Sequence, residues 1–297
     1  MEIAVTGATG FIGRRLCEDL LKSGHTLRIL GRSQPPGIPG RFFPWNATGS
    51  PPPQESLDGT HAVIHLAGAP VAQRWTPEVK RQIRDSRVEG TRLLVQALTT
   101  CQRRPSVLVS GSAVGFYGDR GDTLLPESAR AGKGFLSEVC VEWERQAELA
   151  ESLGIRVVRL RTGVVLGRGG GALEKMLTPF KLGLGGPIAG GRQWMPWIHL
   201  EDIVGMIVFA IGNDRLTGPV NGVGPEPVRN SEFTRALGKA LQRPTIFPVP
   251  QFGLRMLFGE MAEVLLASQR ALPHAAERAG YTFRYPDLLP ALRDCVA

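Results

Sequence analysis

Three glycines spaced GxxGxxG, Gly7, Gly10 and Gly13, stand directly after a short apolar run, Ile3, Ala4 and Val5. Such a triplet suits a phosphate cradle. The first glycine permits a tight turn, the second lets the backbone approach phosphate oxygens, and the third lets a helix pack close to the strand. Thr9, Phe11 and Ile12 complete the candidate site in the same turn. A second run, Thr26 to Leu30, ends in Gly31, Arg32 and Ser33. An acidic residue there would accept hydrogen bonds from a ribose 2′-hydroxyl, whereas Arg32 offers a bidentate, charge-assisted pair to a 2′-phosphate. The residue types therefore predict NADP(H) rather than NAD.

The elements that must position these residues are legible around them. From Phe11 to Ser23 the apolar positions Ile12, Leu16, Leu20 and Leu21 fall on one helical face, and Gly24 supplies the left-handed stop. Strand, glycine turn, helix and strand within about thirty residues place the unpaired N–H groups and positive dipole end of a helix against a pyrophosphate. Val63 to Leu66, Val107 to Val109 and Val157 to Leu160 are continuous apolar runs separated by helical patterns, as strands buried on both faces require. The Pro-rich piece from Pro35 to Pro53 reads as a loop with one short strand at Phe42 and Phe43.

Composition narrows the class. The 297 residues are 42% hydrophobic, 21% charged and 7% aromatic, close to the globular average and unlike a disordered or fibrous chain. Four scattered cysteines, Cys17, Cys101, Cys140 and Cys295, form no CxxC pair, which predicts a reduced compartment and no metal site. The net charge of +8 would suit an anionic partner, but the arginines are dispersed and no basic stretch is interleaved with aromatics, so no nucleic acid partner is expected. No apolar run approaches the roughly 18 residues of a membrane span, and the start, MEIAVTGATG, carries no basic leader. These features predict a cytoplasmic protein with no membrane partner.

GATGFIG, then VIHLAG at 63–68, VSGSAVGFYG at 109–118 and WIHLEDI at 197–203 resemble the extended branch of the short-chain dehydrogenase/reductases. RTGVVLGRGGG, PFKLGLGGPIAGGRQWMPWIH and the ending AGYTFRYPDLLPAL are similar, more narrowly, to an atypical subgroup, the epimerase family proteins, which carry a C-terminal domain of unknown function. The resemblance implies an α/β fold, a doubly wound parallel (Rossmann) sheet with a smaller C-terminal substrate lobe. On this sequence it implies an NADP-binding domain over 1–165, to which 195–225 returns, and a lobe made of 166–194 and 226–297. It also implies that Leu66, Ala67 and Gly68 pass under the adenosine and pyrophosphate, and that Val165 meets the nicotinamide carboxamide. Where the family helix begins N-V-x-G-T, this chain has Arg87-Val88-Glu89-Gly90-Thr91. Arg87 could reach the cofactor phosphates or the site's mouth, or pair with Asp85 or Glu89 on the surface.

The family's hydride chemistry uses a serine with a Tyr-x-x-x-Lys pair, in which the lysine lowers the tyrosine pKa so that phenolate can act as base. Ser112 matches the serine, but Leu136 and Cys140 fall at the tyrosine and lysine, with Glu144 following. No Tyr-x-x-x-Lys occurs anywhere in the chain. Tyr117 is the candidate replacement acid. Met195 stands where nucleotide-sugar enzymes of this branch carry a diphosphate-binding arginine, so an unknown small molecule other than a nucleotide sugar is expected. Trp194, Met195 and Trp197 suggest an aromatic substrate wall and serve equally as lobe core, while His199 and Asp202 read as structural. A helical pattern from Gly253 to Ser268 carries Leu254, Leu257, Met261, Val264 and Leu265, a stripe for the lobe core or a homodimer contact. Two functions follow: an NADP(H)-dependent oxidoreductase or epimerase-like protein with a rebuilt site, or a non-catalytic NADP(H)-responsive sensor.

Overall fold

Successive residues of one strand supply two different cores. In β1 (Glu2–Thr6), Ile3 and Val5 enter one apolar cluster and Ala4 another, so the strand is covered on both faces. A computed structural model describes residues 1–297. After β1 come α1 (Phe11–Lys22), β2 (Thr26–Gly31), β3 (Arg41–Pro44), β4 (Ala62–His65), α2 (Pro77–Thr99) and β5 (Val107–Ala113). The middle of the chain holds β6 (Leu124–Leu125), α3 (Phe135–Glu148), β7 (Arg156–Thr162), β8 (Val164–Leu166), α4 (Gly171–Lys181), β9 (Trp194–Met195), β10 (Trp197–His199), α5 (Leu200–Gly212) and β11 (Gly218–Gly222). The last part is β12 (Val228–Arg229), α6 (Asn230–Leu241), α7 (Gln251–Phe258), α8 (Ala262–Leu266), β13 (Arg270–Ala271), α9 (His274–Ala279) and α10 (Leu288–Val296).

Seven strands form one parallel sheet in the order β11-β7-β5-β4-β1-β2-β3. The order reverses between β1 and β4, and in a doubly wound sheet the crevice for a dinucleotide opens at that point, past the carboxyl ends of the strands. The same two-core alternation runs through Ile64 against Val63, Val109 against Leu108 and Val158 against Val157. α1 and α5 cover one face; Leu94 and Leu98 of α2 and Ala147 of α3 cover the other. A third core, with Leu173, Phe180, Met195, Trp197, Phe233, Leu237 and Leu292, gives the lobe its own interior.

Asp202, wholly buried in the first turn of α5, fixes the C-terminal segment to the sheet body. Its carboxylate accepts the N–H of Arg284 at 2.6 Å and of Tyr285 at 2.9 Å, and the Tyr281 hydroxyl at 3.3 Å. His199 caps α5 through Nδ1 and stacks on Tyr285 at 3.8 Å. Both residues are structural, as their sequence context suggests. The pattern from 253 to 268 is not one helix. Gly259, at φ +59°, stops α7, and α8 begins three residues later. The stripe is split accordingly: Leu254 and Met261 are buried, while Leu257 is 68% exposed and Val264 is exposed beside it. No helix is long and apolar enough to cross a membrane.

Candidate functional site

The turn between β1 and α1 has the shape a pyrophosphate requires, and only glycine fits it. Gly7 sits at φ +76°, and a Cβ on Gly13 would lie 2.1 Å from the Gly7 carbonyl oxygen. Gly10 caps α1 without a side chain, and no acidic residue occupies the first turn, so the helix N-terminus keeps its N–H groups and dipole for an anion. Thr9, Phe11 and Ile12 surround this end. The Phe11 ring is gripped by the segment after β8: a Cβ on Gly170 would lie 2.5 Å from it, and on Gly167 and Gly171 2.9 and 3.0 Å. Phe11 thus joins the lobe to the phosphate turn. Val165, on β8, is partly buried against the same core.

Gly31 ends β2, and Arg32 beyond it is exposed with no carboxylate partner. Arg14, on the first turn of α1, is the residue that sequence reading missed: its Nη2 donates to the Pro36 carbonyl at 3.2 Å and braces the loop that follows Arg32. Its adjacency to Gly13 is the signal that could have found it.

Leu66, Ala67 and Gly68 leave the end of β4, held from beneath by a buried chain of hydrogen bonds. Thr6 Oγ1 accepts the N–H groups of Leu66 and Ala67, each at 3.2 Å, so its own proton goes to His65 Nδ1 at 2.7 Å. His65 Nε2 then carries the hydrogen and donates to Thr91 Oγ1 at 3.1 Å. Burial lowers the His65 pKa to about 4, so the folded protein holds it neutral. The unfolded chain binds this proton near pH 6.5. Stability from His65 is therefore complete above about pH 6.5, falls as the pH drops, and is gone below about 4, a loss of about 3 kcal/mol. Denaturant midpoints of the wild type should fall over this range more steeply than those of His65→Gln; parallel profiles would contradict the assignment.

The catalytic candidates meet a different environment from the one expected. Ser112 is 5% exposed at the end of β5, and its hydroxyl donates to Glu144 Oε1 at 2.7 Å. Glu144, on α3, also takes Arg161 Nε at 2.7 Å and Nη2 at 2.8 Å. Arg161, paired in register with Ser112 across β5 and β7, donates through Nη1 to the Tyr117 hydroxyl and to the Glu127 carbonyl, both at 3.0 Å. Tyr117, the expected replacement acid, lies in the core. The ring has no exposed surface, its hydroxyl donates to Asn221 Oδ1 at 2.7 Å, and burial raises its pKa further from neutrality despite the Arg161 charge. It is a core residue, packed with Val114, Leu125 and Val223.

Leu136 and Cys140 do face the end of β5: a Cβ on Gly115 would touch Leu136 at 3.3 Å and the Cys140 Sγ at 4.0 Å. The Cys140 thiol is fully enclosed and pushed up to about 12 by burial, so it is neither a nucleophile nor a cation. Of the two readings of the Trp194–Trp197 stretch, the lobe core holds for Met195 and Trp197. Met195 and Trp197 lie in the lobe core, Trp197 donating to the Glu226 carbonyl at 3.1 Å. Trp194 projects to the opposite side of its strand, where the Arg229 and Arg270 guanidiniums stack on it at 4.7 and 4.3 Å and Asp122 accepts its Nε1 at 2.7 Å.

Arg87 makes neither surface pair. Asp85 pairs with Arg84 and Glu89 with Arg92, while Arg87 turns inward to the end of β4. The structure thus gathers the glycine turn, Gly31, Arg32, Leu66 to Gly68, Arg87, Ser112 and Val165 around one sheet edge and leaves Tyr117 beneath it.

The chain matches the model of the NAD dependent epimerase/dehydratase family over residues 3–221 and that of a domain of unknown function over residues 249–295. It is 42% identical over 299 residues to a protein of Arabidopsis thaliana named epimerase family protein SDR39U1 homolog, chloroplastic, an alignment covering 99% of this chain and 86% of that one. The crystal structure of human epimerase family protein SDR39U1 (isoform2) with NADPH matches with a TM-score of 0.90 and 34% identity over 99% of both chains. That of a nucleoside-diphosphate sugar epimerase from Corynebacterium glutamicum matches at 0.81 and 35%, covering all of this chain and 58% of its own.

Proposed function

Because the chain belongs to the NAD dependent epimerase/dehydratase family, we propose that it binds NADP(H) along this edge and uses it in the cytoplasm on a small molecule other than a nucleotide sugar. The observation that carries the reading is the empty-sided phosphate turn beside an exposed, unpaired Arg32, with Gly31 and Ser33 on either side and no acid to accept a ribose 2′-hydroxyl. The human relative solved with NADPH supports it. Gly7, Gly10 and Gly13 admit the pyrophosphate to the N–H groups at Thr9, Phe11 and Ile12; Leu66 to Gly68 carry the adenosine side; Arg32 takes the 2′-phosphate. Val165 offers backbone to the carboxamide. This division treats 1–165 with 195–225 as the cofactor domain and 166–194 with 226–297 as the substrate lobe, with Met195 and Trp197 at the boundary packing into the lobe core and Ala276 packing back against the sheet. The bound cofactor supplies hydride transfer. Ser112 meets the substrate through its free lone pair, because its proton is directed to Glu144. Met195, buried in the lobe core where a diphosphate-binding arginine would stand, supports the exclusion of nucleotide sugars.

A second reading rests on one observation: Leu136 and Cys140 occupy the positions of the family's tyrosine and lysine, and the neighbouring tyrosine is buried. On that reading the protein is an NADP(H)-responsive sensor. Single-turnover fluorescence of bound NADPH against carbonyl and enone compounds separates the two. Oxidation that falls at least tenfold in Ser112→Ala supports the enzyme; NADPH binding without oxidation of any compound supports the sensor.

A further inference from the structure

Arg87 is a guanidinium without a counter-ion at the one edge where a ligand is expected. Its side chain crosses the backbone at the end of β4, so closely that a Cβ on Gly68 would lie 3.1 Å from the guanidinium carbon. The Trp143 ring flanks it at 5.4 Å. Nη1 donates to the Ala69 carbonyl at 3.0 Å and the Ile83 carbonyl at 3.1 Å. Nε and Nη2 have no protein partner, and no carboxylate lies within salt-bridge distance. The acids that adjoin it in sequence are taken by Arg84 and Arg92, and on the facing helix Glu144 is saturated by Arg161 and Ser112, Glu142 pairs with Arg84 and Glu148 with Arg159. The remaining neighbour, Cys140, is a neutral thiol. A half-buried cation with no anion nearby is unfavourable in the ligand-free protein, and Gly68 leaves the room in which the guanidinium lies against the backbone.

We propose that Arg87 is a receptor for a ligand oxyanion, a carboxylate or phosphate oxygen bound through Nε and Nη2 beside the Trp143 ring. The fork geometry of a guanidinium suits either oxyanion, and the oxygen comes either from the cofactor's pyrophosphate or from a substrate carboxylate. Only the first source rests on the NADP(H) reading above.

Calorimetric titration of wild type, Arg87→Met and Arg87→Lys with NADPH, with benzoate and with benzyl alcohol tests this. If the oxyanion belongs to the substrate, benzoate binds wild type, Arg87→Met loses at least tenfold in benzoate affinity, Arg87→Lys loses less, and NADPH affinity stays within about twofold. If it belongs to the cofactor, NADPH affinity falls at least tenfold in Arg87→Met while benzoate does not bind. Benzyl alcohol, uncharged, is indifferent to the substitution in both cases. Unchanged affinity for NADPH and for benzoate in Arg87→Met would overturn the proposal. Arg87→Lys keeps the comparison possible should methionine prevent folding. Failure of wild type to bind NADPH would sink the cofactor reading, while benzoate binding to the free protein would still decide the role of Arg87.

Discussion

Replacing Arg161 by methionine will lower stability by about 3–5 kcal/mol, a fall in melting temperature on the order of 10 °C, because it leaves a carboxylate buried and unpaired. The side chains of Arg161 and Glu144 are 4% and 6% exposed, and they are joined in bidentate fashion. Arg161 also lies 3.5 Å from the Phe116 ring centre and holds the Tyr117 hydroxyl, so one guanidinium organises the floor beneath the sheet edge. Without it, Glu144 keeps a single donor, the Ser112 hydroxyl. The double variant Arg161→Met with Glu144→Leu removes the orphaned charge and should recover at least half of the loss. Thermal melts of the wild type, Arg161→Met, Glu144→Leu and the double variant check this, and a double variant as unstable as the sum of the two single changes would contradict it.

Arg32→Ala should weaken NADPH binding by about 10- to 100-fold, roughly the 1.5–3 kcal/mol of a charge-assisted contact to an ionised group, and leave NADH within about twofold. The side chain is exposed and bonds to nothing in the protein, so its removal carries no stability cost that could masquerade as a binding effect. The magnitude stays at this level because Arg14, which bonds to the loop that follows Arg32, keeps a positive charge nearby.

The glycine turn and the buried strands were readable in the sequence because backbone geometry dictates their residue types. A turn at φ +76° and a 2.1 Å approach tolerate only glycine, and a strand covered on both faces must be apolar throughout. The absence of Tyr-x-x-x-Lys was equally plain. What sequence could not show is direction. Tyr117 follows the serine motif as an accessible acid would, but its ring turns under β5 toward Asn221. Trp194 and Met195 are adjacent, yet strand alternation sends one to an arginine stack and the other into the lobe core. Arg87 has acids two residues to either side, and their capture by Arg84 and Arg92 is decided by helix packing rather than by spacing. Glu144 carries the same lesson: nothing local marks it as the common partner of Ser112 and Arg161, which lie 32 and 17 residues away along the chain.

On the function proposed above, this edge binds a nicotinamide dinucleotide carrying a 2′-phosphate. The most direct measurement is the pair of dissociation constants for NADPH and NADH, by fluorescence titration of wild type and Arg32→Ala. The account predicts that wild type prefers NADPH by at least tenfold and that the substitution removes most of that preference. Equal affinities in the wild type, or equal losses for both nucleotides in the variant, would contradict it.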